Sequence, residues 1–422
     1  MENNLIFINN VKKYKRDDGL TILLEENPKF LSVALGLFIK RGSRDELFNQ
    51  AGLSHFCEHM IFKGTQEFQK DHIAQIFDEM GGYLNAYTSY ELVVLHNRIP
   101  NFYLEKALKI MYDMFNGSVF DEKETDLERD VILNEIKSTM EDPSEKIHED
   151  FMFNLFPEQG LGLPIIGTEE SITSVSRDTL FDFYKNIFSS DDLILVISGN
   201  FSSEKILDYL NTLTFRRCPT PQNKKANQGE KKSFFTEMPS EQLHLMMGTS
   251  KFNLNEDTYI SANLLNIIIG ESMSSRFFQR IREELGLCYS IYTYIHKYRE
   301  ETIFGLYTSI MPKNVNKTIN NISLVIKELL KDGITKEELE QAKKQKIGEI
   351  ILNSDILQKR MQRIAQMEIR FGKQYDENYV IEKINKTTID DLNELIKQIF
   401  IQENFLTQAL YKKKVDLAEW NF

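Results

Sequence analysis

The segment His55-Phe56-Cys57-Glu58-His59 puts two imidazoles and a carboxylate into one short run. On a helix, residues four apart lie one turn apart on the same face. His55 and His59 can therefore present two nitrogens to one metal ion. Glu58 sits beside that face, placed to reach a water molecule at the metal without ligating it. Imidazole suits zinc, and catalytic zinc sites commonly take three protein ligands and keep one position open. A carboxylate next to the water serves as general base. The chain has only 7 His, so this pattern is rare by chance. Cys57 points away from the histidine face and reads as a small buried apolar residue.

A third ligand has to come from elsewhere. The Glu-rich stretch 121–140 reads as a helix opened by Asp121 and ended by Pro143, and it carries Glu128 and Glu135. Seven residues apart, they share a face but stand about 10 Å apart along the axis. One should touch the metal and the other should hold a ligating histidine, whose second ring nitrogen usually meets a carboxylate or carbonyl. Spacing alone leaves open which is which.

The elements that must position these groups follow from periodicity and turn signals. LTILL at 20–24 and SVALGLFIKRGS at 32–43 read as paired strands. The segment 52–64 and Lys70 to Met80 read as helices, the second stopped by Gly81-Gly82. YLNAYTSY and ELVVLHNRI have strand composition, Asn101 to Asn116 reads as a helix, and DDLILVISG at 191–199 is a short buried strand. The second half repeats the plan. It has a strand at 243–249, a helical run from Thr258 to Leu285, strands at CYSIYTYIHKY and ETIFGLYTSI, and helices near 314–331 and 335–350. Glu349 falls opposite Glu135, and 381–400 echoes 171–188. The sequence thus predicts an α+β protein of two similar α/β sandwich domains, each a mixed or antiparallel sheet covered by helices. The boundaries are 1–218 for the first domain, 219–232 for a polar linker, and 233–422 for the second, which lacks the His-x-x-Glu-His motif.

Composition narrows the function classes. With 422 residues, 41% hydrophobic, and only 20 Gly and 9 Pro, the chain is neither disordered nor fibrous. A net charge of −12 argues against nucleic acid as a partner. The 3 Cys are far apart and form no disulfide framework, and no apolar run approaches membrane-spanning length. A cytoplasmic protein without a membrane partner is expected.

The motifs GLSHFCEHMIFKGT (52–65), GGYLNAYTSYE (81–91), LERDVILNEI (127–136) and SSRFFQRIREELGLCYSI (274–291) resemble the pitrilysin/insulinase family of zinc peptidases. The H-x-x-E-H order marks inverzincins. The likeness is to the two-domain type related to the β subunit of the mitochondrial processing peptidase. It implies one Zn²⁺ per chain on His55, His59 and Glu135, with Glu128 as the outer carboxylate of that helix and Glu58 as the base. It also implies that the 81–91 segment is an active-site edge strand, with Asn85 and Ala86 near the scissile bond. An exposed strand edge can bind an extended peptide through main-chain hydrogen bonds. In relatives, an Arg and a Tyr spaced like Arg282 and Tyr289 reach the site from the opposing half, where a cation and a phenol suit a developing oxyanion. GESMSSRF at 270–277 resembles the family's glycine-rich loop, with a single Gly.

The expected activity is zinc-dependent endopeptidase action on peptides or unfolded, presequence-like segments. Larger relatives fuse four such domains, so a homodimer is the expected way for this chain to build a closed chamber, with Arg282 and Tyr289 supplied by the partner. Two alternatives remain: a catalytically inactive peptide-binding or scaffold subunit, and a zinc hydrolase of small metabolites.

Overall fold

The computed structural model describes residues 10–218, 226–230 and 232–422. Most of the linker stretch, 219–225 and residue 231, therefore lies outside the described residues. The remainder is docked: the side-chain amide of Gln228 donates to Asn404 O at 2.8 Å, and its carbonyl accepts from Ser250 N at 2.8 Å.

The first sheet contains β1 (Val11–Lys15), β2 (Thr21–Glu26), β3 (Ser32–Ile39), β4 (Tyr83–Thr88), β5 (Val93–Pro100) and β6 (Leu193–Gly199), in the order β1-β2-β6-β3-β5-β4. The second contains β7 (Ser233–Glu237), β8 (Leu243–Thr249), β9 (Cys288–Lys297), β10 (Thr302–Ile310) and β11 (Leu406–Tyr411), in the order β7-β11-β8-β10-β9. Each sheet is antiparallel apart from one parallel pair, β2 with β6 and β7 with β11. Matching β2 to β7, β6 to β11, β3 to β8, β5 to β10 and β4 to β9 superposes the two orders. The structure is thus two related sandwiches of mixed sheet and helix, and β4 and β9 are equivalent edge strands.

The central strands are apolar on both faces, so each sheet needs helices on both sides. In the first half, helices α1 (Leu53–Met60), α2 (Lys70–Glu79) and α3 (Leu104–Asn116) cover one face, where Leu35, Leu37 and Ile197 point. The other face displays Leu23, Ala34, Phe38, Ile194 and Val196. It is covered by Leu357, Met361, Ile364 and Ala365 of the helix Leu357–Phe371, which belongs to the second half. The exchange is mutual. After helix α4 (Glu122–Glu141), helix α5 (Pro143–Leu155) lays Ile147, Phe151 and Leu155 on Met246, Ile303 and Leu406 of the second sheet. Each sheet carries a glycine under its borrowed helix. A Cβ on Gly36 would stand 3.0 Å from Met361 Sδ, and one on Gly248 would stand 2.7 Å from Phe151 Cζ.

Local chemistry explains the borders. Asp121 caps α4 by accepting from Glu124 N at 3.1 Å, and Glu122 and Glu124 sit in the positive first turn. The expected stop at Pro143 is a restart: α4 ends at Glu141, Asp142 accepts from Ser144 N, and Pro143 occupies the first turn of α5, where its missing N–H costs nothing. The expected helical run from Thr258 to Leu285 is broken. The helix Glu256–Asn266 widens into a five-residue-hydrogen-bonded turn over Ile267–Glu271, the chain bends, and a second wide turn spans Phe278–Glu284. Among the described residues, no helix is long and apolar enough to cross a membrane.

Met361 is fully buried under the first sheet. Met361→Ala should cost about 2–5 kcal/mol, the usual range for emptying such a site. Trp420 is the only Trp and reports the second half; hydrogen exchange at β3 reports the first. Both probes should show one common denaturation midpoint, lowered together in the variant. Two separate midpoints would contradict the interlock.

Candidate metal centre

α1 is short and buried. Its leading residue Gly52 has φ +91°, a left-handed conformation that L side chains avoid, and a Cβ there would lie 2.6 Å from Gly167 Cα. Leu53, Phe56, Cys57 and Met60 pack into the core, which turns His55 and His59 toward α4. α4 in turn buries a narrow stripe of Thr125, Glu128, Ile132 and Ile136, leaving Glu135 at its margin.

The two helices bring His55, His59 and Glu135 together, with one ligand atom from each lying within 4.8 Å of the others. Glu135 Oε2 is 3.9 Å from His55 Nε2 and 3.8 Å from His59 Nε2. Those distances are too long for hydrogen bonds. They are close to the separation of about 3.4 Å between ligands held at about 2.0–2.1 Å around a tetrahedral zinc. The imidazole rings meet edge to face at 4.6 Å between centroids.

Protonation suits a cation. His59 Nδ1 is 3.0 Å from Glu128 Oε2. Donating its Nδ1–H there leaves the Nε2 lone pair facing Glu135. Burial, followed by the neighbouring His59, lowers the pKa of His55 to about 4, so its ring is a neutral ligand at physiological pH. The Glu135 side chain is 43% exposed, so the cluster opens to solvent on that side. The donor set of two imidazoles and one carboxylate therefore fits a zinc ion with an open position.

Glu58 lies on the same turn as His59. Thr88 Oγ1 at the end of β4 donates to Glu58 Oε2 at 2.6 Å. Burial raises the Glu58 pKa; the Thr88 hydrogen bond opposes this, and nearby Glu135 adds to it. The base candidate is thus held by the edge strand. β4 pairs only with β5 among the described residues and ends the sheet, with its outer edge unpaired. Asn85 is exposed on it and Ala86 is buried, opposite His96 and Leu95 of β5.

Arg282 and Tyr289 belong to the second half, on the wide turn Phe278–Glu284 and on β9. The Arg282 guanidinium lies over the Phe278 ring at 4.6 Å, and Tyr289 is 74% exposed at the start of edge strand β9. Among the described residues, no hydrogen bond or ion pair joins either to the His–Glu cluster. The GESMSSRF segment forms the bend between the two wide turns, with Gly270 pressed against Thr293.

Three supporting residues escaped the sequence reading. Lys63 Nζ lies 2.5 Å from Glu128 Oε1 and balances that carboxylate. Its spacing, one turn beyond His59, was an available signal. Thr88 lies within the quoted edge segment but has no property of its own that marks it. Glu46 accepts from Gly52 N at 2.7 Å and from Ser54 N at 2.6 Å, so a buried carboxylate holds the first turn of α1. No spacing rule points to it.

Residues 21–169 match the family model described as insulinase (peptidase family M16), and residues 174–346 match the model described as the M16 inactive domain. An uncharacterized zinc protease of Bacillus subtilis is 32% identical over 398 residues, covering 93% of this chain and 96% of the relative. The chain belongs to the insulinase family of peptidases. Another relative so named, from Rickettsia bellii, is 33% identical over 404 residues, covering 93% of this chain and 95% of its own length. The fold is shared with a protease from Helicobacter pylori, with TM-score 0.89 and 16% identity over 96% of this chain and 100% of that one. It is also shared with a Pseudomonas fluorescens structure described as an M16 inactive domain, with TM-score 0.88 and 17% identity over 98% of this chain and 100% of that one. The model matched by residues 21–169 is the one that spans the His–Glu cluster.

The Glu128 contact supplies a test. Glu128→Ala frees His59 Nδ1 and should weaken zinc binding about 10- to 100-fold, the usual cost of losing such a partner. Competition with a chromophoric chelator measures this, and circular dichroism should show the fold unchanged. Unaltered affinity would show that the carboxylate does not set the ring.

Proposed function

We propose that this protein is a zinc-dependent endopeptidase that hydrolyses extended peptides or unfolded segments. One observation carries the reading: Glu58 stands beside the two-His, one-Glu cluster and is anchored by Thr88 to the unpaired edge of β4. Metal donor set, base and peptide-binding edge therefore meet in one place.

When bound by His55, His59 and Glu135, zinc would supply Lewis acidity, polarising the scissile carbonyl and acidifying water. The peptide would add as an antiparallel strand to the outer edge of β4, near Asn85 and Ala86, with main-chain hydrogen bonds fixing its direction. Glu58 would accept the proton of the attacking water and deliver it to the departing amine nitrogen. Its raised pKa favours such two-way transfer. Thr88 keeps the carboxylate oriented, and Glu128 and Lys63 keep His59 in the ligating tautomer. Backbone recognition gives broad sequence tolerance.

Arg282 and Tyr289 enter this reading through a second copy of the chain. Among the described residues neither makes a hydrogen bond or ion pair with the cluster within one protomer, and the exposed phenol of Tyr289 is available to a facing subunit. A homodimer would close a chamber around the substrate and bring them to the tetrahedral intermediate.

Glu58→Gln should keep zinc and lose about 10²- to 10⁴-fold in kcat on a quenched fluorescent peptide, the usual contribution of a general base. Wild-type turnover in that variant would end the proposal. Mixed dimers of Glu58→Gln and Tyr289→Phe chains should recover part of the activity absent from each parent. Verified heterodimers with no recovery would place Tyr289 outside the partner's site.

A further inference from the structure

Among the described residues the second half contributes nothing to the His–Glu cluster, yet one of its hairpins grips the segment that leads into α1. The turn between β9 and β10 presents Arg299 and Glu300. The Arg299 fork is bidentate on Asp45, with Nη1 to Oδ1 at 2.7 Å and Nη2 to Oδ2 at 3.0 Å, and Nη2 also donates to Lys40 O at 2.8 Å. Its backbone N–H donates to Glu91 Oε1 at 2.8 Å. Arg44 bridges back, bonding Glu91 on one side and Glu300 Oε2 at 2.7 Å on the other. These side chains are mostly buried: Arg44 is 3% exposed, Asp45 11% and Arg299 21%.

Both segments so gripped end at the metal centre. Asp45 directly precedes Glu46, whose carboxylate holds Gly52 N and Ser54 N at the start of α1, one residue before His55. Glu91 lies in the turn after β4, the strand whose Thr88 holds Glu58. The two segments are also tied to each other, by Ser43 N to Ser89 O at 3.2 Å and Arg44 N to Tyr90 O at 2.9 Å. A planar, permanently charged fork fixes both distance and orientation, which a point charge does not.

We infer that Arg299 is a positioning residue for the metal centre, acting through Asp45 and Glu46 on α1 and through Glu91 on β4. The metal-free half thereby sets the geometry of the metal-binding half within one protomer. This rests on His55, His59 and Glu135 being the metal ligands, and it is separate from any role of Arg282 or Tyr289. A displacement of ligand-bearing elements by a fraction of an ångström is the kind of error that such supporting contacts prevent.

The test uses the full-length chain and two readouts taken without substrate: zinc affinity by chelator competition, and amide exchange over residues 52–56 in the metal-free protein. Arg299→Met should lower zinc affinity tenfold or more and speed exchange at 52–56 tenfold or more relative to β6. Asp45→Asn should reproduce both, and the double variant should add little to either single change. Arg299→Lys, which keeps the charge without the fork, should fall between and serves if Arg299→Met folds poorly. A clasp that only staples the halves would lower the unfolding midpoint while affinity and relative exchange stay within twofold of wild type, and that result overturns the inference. A wild-type protein that binds zinc but cleaves no peptide would instead sink the peptidase reading, leaving this one standing on its own readouts.

Discussion

Each sheet is apolar on both faces, and its own half covers only one of them. That constraint organises the molecule. Strand β3 sends Leu35 and Leu37 to the helices of its own half, and Ala34 and Phe38 to a helix that the chain reaches only after crossing the second sheet. Helix α5 returns the favour by capping the second sheet. An uncovered face of this size would expose apolar surface at a cost of about 25 cal/mol per Å². Neither half is therefore a finished unit, and the repeat is interlocked rather than merely tandem.

The His–Glu cluster inherits its rigidity from this arrangement. α1 is clamped from beneath by Phe56, Cys57 and Met60 in the core, and from its first turn by Glu46. α4 contributes Glu135 from the margin of its narrow buried stripe, and it runs directly into α5, which is anchored on the other sheet. The two helices that carry the cluster thus answer to different layers of the molecule. Around the cluster, three polar contacts each set a neighbour: Lys63 balances Glu128, Glu128 orients His59, and Thr88 holds Glu58. Linked polar contacts of this kind rigidify a site.

Much of the architecture was legible because it rests on local rules. The other strands of both sheets, the cap at Asp121, the Gly81-Gly82 stop and the doubled plan follow from periodicity and turn chemistry, whereas β1, β7 and β11 were not drawn from the sequence. The helices 143–155 and 357–371 were not drawn from the sequence. Pro143 was read as a terminator, although the same residue starts a helix when an Asp precedes it. Their apolar stripes state that they pack, and nothing local states on which sheet. The break between Glu256 and Leu285 was equally hidden, since Ser272 to Ser275 lacks the Gly or Pro that would announce a bend.

By itself the sequence determined the donor types and their helical spacing: two imidazoles one turn apart, a carboxylate beside them, and two glutamates two turns apart on a second helix. Helix geometry makes those relations local, so no knowledge of the rest of the chain is needed. Only the tertiary structure decided which glutamate faces the imidazoles, that Thr88 holds Glu58, and that a hairpin of the second half grips the loop before α1. Those are contacts between residues far apart in the chain. They depend on how the sheets, the exchanged helices and the buried ion pairs settle against one another.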